Sequence, residues 1–153
     1  MSIKFKKSIV EEAEELVRIY NEAFYADYVR FGVCPGYGHT VENMRQSISR
    51  NLKYTIFADK QPVGAISAVK ESEEVYHIGC LCIIPEYQGL GIGFKAIQFL
   101  KETLPDWKEL VLDTPVDKIE NVGFYTHKCG FEIIEEYQEG KIKLYKFRLK
   151  RIK

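Results

Sequence analysis

The sequence predicts an α/β domain. Three observations carry that prediction. Along the 153 residues the hydrophobic period reads strand, two helices, three strands, helix, strand, helix, two strands, which is an α/β order. A nearly all-apolar strand at 78–84 runs into Gln88-Gly89-Leu90-Gly91-Ile92-Gly93, and a helix follows with Ile92, Ala96, Ile97, Leu100 and Leu104 at helical spacing. The length suits one domain able to bury roughly two-thirds of its unfolded surface.

Residues 3–7 suit a short first strand. Ser8 with Glu11 three residues on has the pattern of a capping box. The helix behind it places Val10, Ala13, Leu16, Val17, Tyr20, Ala23 and Phe24 on one face. From 25 to 40 the period breaks, and Tyr25, Tyr28, Phe31, Tyr37 and His39 stand among Gly32, Pro35, Gly36 and Gly38. The expectation there is an aromatic loop, either packed over the core or forming a wall of a binding site. Thr40 is expected to cap a second helix with Val41, Met44, Ile48 and Leu52 inward. Strands at 54–59 and 62–69 should flank a turn at Lys60-Gln61. The polar stretch 71–74 reads as a solvated turn into the central strand. That strand hardly alternates, which predicts burial on both faces. Pro85, which has no amide hydrogen, stops its ladder. A strand at 109–113 and a helix at 117–129 follow, then two strands at 131–137 and 141–149 joined at Glu139-Gly140.

The bulk properties exclude several classes. The chain has 22 basic and 22 acidic residues. Nucleic-acid and membrane-surface proteins usually show a basic excess, so neither partner is expected. No apolar run approaches the roughly 18 residues of a membrane span. The N-terminal segment has no apolar signal core behind its lysines, so a cytoplasmic protein is expected. Cys34, Cys80, Cys82 and Cys129 form no C-x-x-C pair. They read as reduced core cysteines, and no metal is expected.

A strand, a glycine loop and a helix N-terminus together make an anion site. Glycines let backbone amides turn inward, and the helix dipole adds partial positive charge. The expected ligand carries phosphate. A nucleotide P-loop needs Lys-Ser or Lys-Thr after its last glycine, whereas Phe94 follows Gly93. The dinucleotide fingerprint is met by Gly91-Ile92-Gly93-Phe94-Lys95-Ala96, with Asp113 roughly 20 residues on. Residues 85–90 separate those glycines from the strand, however, and about 80 residues precede the motif. A small dinucleotide-binding oxidoreductase module stays open as an alternative.

Gln88-x-x-Gly91-x-Gly93 resembles the Q/R-x-x-G-x-G/A loop of the GNAT superfamily of N-acetyltransferases. The run Leu81-Cys82-Ile83-Ile84-Pro85 ahead of it resembles the family's preceding strand. The segment Asn121-Val-Gly-Phe-Tyr-Thr-His-Lys-Cys-Gly-Phe131 resembles its helix-to-strand segment. The resemblance spans residues from about 76 to 137. It implies the GNAT fold over 1–153 as a single domain: a central mixed twisted sheet of about seven strands, helices on both faces, and splayed central strands. It implies an N-acetyltransferase that moves the acetyl group of acetyl-CoA, its cosubstrate, directly to an amine of a small molecule or peptide. The backbone of Leu81, Cys82 and Ile83 would hold the pantetheine arm. The loop Gln88, Gly89, Leu90, Gly91, Ile92 and Gly93 would hold the pyrophosphate, and Asn121 would add a polar contact.

The family's proton donor to the departing thiolate corresponds to Tyr125. One residue more than the usual spacing separates it from Gly130, which makes Thr126 the alternative occupant. An ordinary core tyrosine is the structural alternative. His77, with the strand parity of Gly79, Leu81 and Ile83, is a candidate base or a structural histidine; Glu73, Glu74 and Asp113 are further candidates. A non-catalytic acyl-CoA sensor of the same fold is the other alternative, and a homodimer is among the expected assemblies.

Overall fold

The computed structural model describes residues 1–152. The elements are β1 (Ile3–Lys7), a 3-10 turn (Val10–Glu12), α1 (Ala13–Phe31), α2 (Val41–Arg50), β2 (Leu52–Ala58), β3 (Gln61–Ser72) and β4 (Val75–Ile83). A 3-10 turn (Pro85–Tyr87), α3 (Ile92–Thr103), β5 (Glu109–Pro115) and α4 (Ile119–Gly123) follow. A π-helical turn (Phe124–Lys128), β6 (Glu132–Glu139) and β7 (Ile142–Lys150) complete the chain. The strands make one open, mixed sheet in the order β1-β2-β3-β4-β5-β7-β6. No helix among the described residues is long and apolar enough to cross a membrane. The chain divides into two compact units, Met1–Ala68 with Gly79–Phe99, and Val69–Ile78 with the residues from Leu100 onward.

In the first unit β1, β2 and β3 form an antiparallel ladder from Ile3 opposite Ala58 to Leu52 opposite Ala68. Leu16, Ile19 and Tyr20 of α1, Met44 and Ile48 of α2, and Ile56 and Ile66 of the strands are buried. Each such apolar side chain contributes about 1.5–3 kcal/mol by leaving water. Gly64 is required by a close approach, since a Cβ there would fall on the carbonyl oxygen of Cys82.

Several expectations are corrected in this unit. The cap lies one residue later than expected, with the Ile9 amide donating to Glu12 Oε1 at 2.9 Å. Ser8 instead shares a buried 2.7 Å hydrogen bond with Thr55. Ile19 is fully buried, while Val10 is exposed. The first seven residues of the expected aromatic loop, 25–31, are helix, and the rest, 32–40, is not. α1 continues to Phe31 and ends at Gly32, in the left-handed region at φ 79°, whose amide donates to Tyr28 O. Thr40 caps α2 as expected, accepting from the Asn43 amide at 3.0 Å. Leu52 opens β2 rather than closing α2, and the β2–β3 turn falls at Asp59-Lys60.

Lys53 of β2 is 2% exposed. Its Nζ donates to the Tyr20 hydroxyl at 2.6 Å and lies 3.6 Å from Met44 Sδ. Burial holds this lysine below its ordinary range and pushes the Tyr20 phenol well up.

In the second unit β5 pairs in parallel with β4 and antiparallel with β7, and β6 and β7 form a hairpin closed at Gly140, φ 60°. Its core holds Leu110, Leu112, Phe131 and Phe147. Trp107 is buried with Nε1 donating to Lys101 O at 3.0 Å. The helix expected at 117–129 splits into α4 and the π turn, where the Cys129 amide reaches back to Phe124 O at 3.1 Å. A π turn is how a helix absorbs one inserted residue.

The central strand also departs from expectation. Tyr76, Ile78 and Cys82 are buried, but Val75, His77, Leu81 and Ile83 are half-buried and Gly79 is exposed. β4 therefore has one covered face and one that reaches solvent.

Candidate active site

The first unit carries the expected anion loop. After Ile83 the chain makes its 3-10 turn, and the Gln88 side chain folds back so that Nε2 donates to Ile83 O at 2.9 Å. That bond ties the loop to the end of the strand. Gly89 and Gly91 take φ of 77° and 83°, the left-handed region that a Cβ disfavours. Nothing lies within 4 Å of where a Cβ would sit on either, so conformation and not crowding is what requires glycine here. The Lys95 amide is satisfied by Gly91 O at 3.2 Å. A helix leaves its earlier amides without an intrahelical acceptor, so those of Ile92, Gly93 and Phe94 remain for a ligand. The Ile92 side chain is 2% exposed and packs in the core, so only its backbone faces this role. Leu90 is exposed.

Leu81, Cys82 and Ile83 precede the loop on β4. The β4–β5 ladder covers only Val75, Tyr76 and His77, opposite Glu109, Leu110 and Val111. Among the described residues, the β5-side edge of 79–83 is thus left out of the ladder. The covered face of this stretch carries two thiols. Cys82 is buried and Cys80 half-buried, so the expectation that both are core residues is met only by Cys82. A hydrogen bond from Cys82 holds the Cys80 thiol below its ordinary range, and the same bond with burial pushes Cys82 well up.

The second unit holds the candidate proton-transfer groups. His77 Nε2 lies 3.5 Å from Asp113 Oδ2, with side-chain exposures of 31% and 29%, so solvent reaches both. The hydrogen bond with His77 holds the Asp113 carboxyl below the usual carboxylate range. Tyr137 of β6 neighbours the same carboxylate. Burial, then that neighbouring charge, push its phenol up to about 12. Three strands thus bring together an imidazole, a carboxylate and a phenol. The sequence offers His77 and Asp113 as separate candidates and does not single out Tyr137. The only available signal is strand parity, which does not specify register.

Tyr125 is the second residue of the π turn and is 8% exposed. Its ring meets Phe124, Phe131 and Phe147 at centroid distances of 5.1, 5.7 and 5.7 Å. The Thr126 hydroxyl donates to Val122 O at 2.7 Å, within its own helix. Asn121 Nδ2 donates to Thr114 Oγ1 at 3.4 Å. The loop and strand residues belong to the first unit, and His77, Asp113, Asn121 and Tyr125 belong to the second. His39 and His127 are exposed.

The model of the acetyltransferase (GNAT) family matches residues 13–131. Over 88 residues the chain is 33% identical to YrkN of Bacillus subtilis (strain 168), which is 56% of this chain and 47% of that relative. The match therefore spans about half of the relative's length. An acetyltransferase from Thermus thermophilus superposes with a TM-score of 0.79 at 18% identity, over 99% of this chain and 98% of that one. The PaiA N-acetyltransferase of Thermoplasma acidophilum, solved in complex with coenzyme A, superposes with a TM-score of 0.77 at 22% identity, over 99% and 100%. At such identities the structural likeness speaks for the fold.

Proposed function

The chain belongs to the GNAT family of acetyltransferases, and from that membership we propose that it transfers the acetyl group of acetyl-CoA directly to an amine, with residues 1–153 acting as one cytoplasmic domain. The observation that carries the reading is the loop 88–93: two left-handed glycines and the open amides of α3, tied to the end of β4 by Gln88. That cradle suits a pyrophosphate, and the unladdered edge of 79–83 suits the amides of a pantetheine arm. When bound, acetyl-CoA supplies an activated acyl group and a thiolate leaving group. The backbone of Leu81, Cys82 and Ile83 would orient it, and an amide of that strand could donate where negative charge develops.

Binding is tested by thermal shift. Acetyl-CoA should raise the melting temperature, because it binds the folded state only. NADH should leave it unchanged, since the glycines stand too far from the strand for a dinucleotide fingerprint. A shift with NADH and none with acetyl-CoA would reverse the reading in favour of an oxidoreductase module. Cofactor binding without turnover on any member of an amine panel would favour a sensor.

In this reading His77 is the general base that deprotonates the acceptor ammonium, and Asp113 positions its ring through the 3.5 Å contact. His77→Gln should lower kcat/KM by about a hundredfold, the low end of general-base contributions. It should also remove the acid limb of the pH–rate profile, since a base must be unprotonated to act. Retention of that limb in His77→Gln excludes the role.

A further inference from the structure

We propose that the cavity walled by α1, the segment that follows it and the turn after β4 seats a second cationic group of the acceptor, so that the preferred acceptor is a diamine or polyamine. The proposal rests on the acetyltransferase reading and names its acceptor class. The cavity is shallow and open to solvent, about 530 Å³, and is lined by Asn21, Glu22, Tyr25, Tyr37, Pro85 and Glu86. Two carboxylates and two phenol rings stand in that lining, with no basic side chain.

The aromatic wall is held in place before any ligand arrives. Tyr37 stacks on Tyr28 with centroids 4.5 Å apart and planes 15° apart, and lies 6.1 Å from Tyr25. The Gly38 amide donates to Asn21 Oδ1 at 3.0 Å, and the Tyr37 amide donates to Cys34 O at 3.0 Å. Gly36 sits so closely on the Phe24 ring that a Cβ would overlap it. These contacts fix the segment between α1 and α2 on both sides of Tyr37, so a ligand need not order it.

The carboxylates differ. Glu22 accepts from Arg18 Nη1 at 2.7 Å, which neutralises part of its charge. Glu86, exposed on the 3-10 turn, has no ion-pair or hydrogen-bond partner among the described residues. An ammonium is the group that uses both features, lying over a phenol face and beside a carboxylate. A monoamine must present its single nitrogen, unprotonated, to the acyl centre and leaves this cavity unused. A diamine reacts at one end and keeps a charged nitrogen at the other. Pro85 and Glu86 join the strand proposed for pantetheine to the loop proposed for pyrophosphate, so the cavity adjoins the cofactor elements in the chain itself.

Calorimetric titration of the full chain, with and without saturating coenzyme A, tests this with putrescine and n-butylamine as probes. Putrescine should bind about tenfold tighter at low salt, the combined scale of one cation–π contact and one partly exposed ion pair. The margin should shrink as salt rises. Glu86→Gln and Tyr37→Leu should each remove most of the margin between the two amines, with circular dichroism confirming the fold. Lysyl-lysine carries three ammonium groups and one carboxylate on a peptide frame, and its rank against putrescine identifies the source of the cation. Equal affinity for the two amines, or a margin that survives both variants, overturns the proposal. Coenzyme A binding with no putrescine margin sinks the cavity assignment alone. A putrescine margin without coenzyme A binding sinks the acetyltransferase reading and leaves the cavity standing.

Discussion

Gly91→Glu is expected to lower coenzyme A affinity by about a hundredfold to a thousandfold. A charge-assisted hydrogen bond contributes roughly 1.5–3 kcal/mol. Losing one or two of them costs about 1.5–6 kcal/mol, and at about 1.4 kcal/mol per factor of ten the stated range is the middle of that span. The new carboxylate also opposes a phosphate in the field of the helix N-terminus. Gly91 sits at φ 83°, so any side chain there adds backbone strain of about 1–3 kcal/mol. Gly91→Ala carries the same strain without the charge and is the control. It should lower stability and reduce affinity far less than the glutamate does. No Cβ clash exists at this position, so both variants should fold. Calorimetry with coenzyme A reads the outcome. Wild-type affinity in Gly91→Glu would remove the loop from the cofactor site.

Tyr125→Phe is expected to reduce kcat by about 10²- to 10⁴-fold with little change in cofactor affinity. The hydroxyl would protonate the departing thiolate, so it acts as charge develops and contributes little to ground-state binding. A phenol remains protonated at neutral pH and can donate. The ring is buried against Phe124, Phe131 and Phe147, and phenylalanine keeps those contacts. Thr126→Val is the paired substitution. The Thr126 hydroxyl bonds Val122 O, and the π turn accommodates the additional residue before Gly130; both observations favour Tyr125 for the role. Loss of turnover in Thr126→Val with near-normal Tyr125→Phe would move the assignment by one position. If neither variant changes turnover, Tyr125 belongs to the core alone.

Elements with a core-facing stripe or a turn residue were legible in the sequence. α2 followed its Thr40 cap, with Met44 and Ile48 inward, and α3 followed its glycine loop. The far half of α1 was not legible, for a physical reason. Tyr25, Tyr28 and Val29 are 57%, 43% and 64% exposed, so this end of the helix has no buried stripe to impose a period. Its end is marked only by Gly32. The capping pattern at Ser8 misled because a hydroxyl can serve a cross-element bond as readily as a helix amide, and here Thr55 claims it.

Local chemistry by itself determined the loop. Pro85 ends a ladder wherever it stands, and Gly89 and Gly91 permit a left-handed backbone whatever surrounds them. The family resemblance rests on Gln88, Gly91 and Gly93, the run 81–85 before them and the segment 121–131, and the fold agreed with it. Tertiary structure alone decided which polar groups meet. His77, Asp113 and Tyr137 lie on three strands, far apart in sequence, and only the register of the sheet joins them. The same holds for Lys53 with Tyr20, and for Tyr37 stacked on Tyr28 across the turn at Gly32. Side-chain periodicity reports which face a residue occupies. It carries no information about the partner opposite, because register and packing are set by the whole core at once.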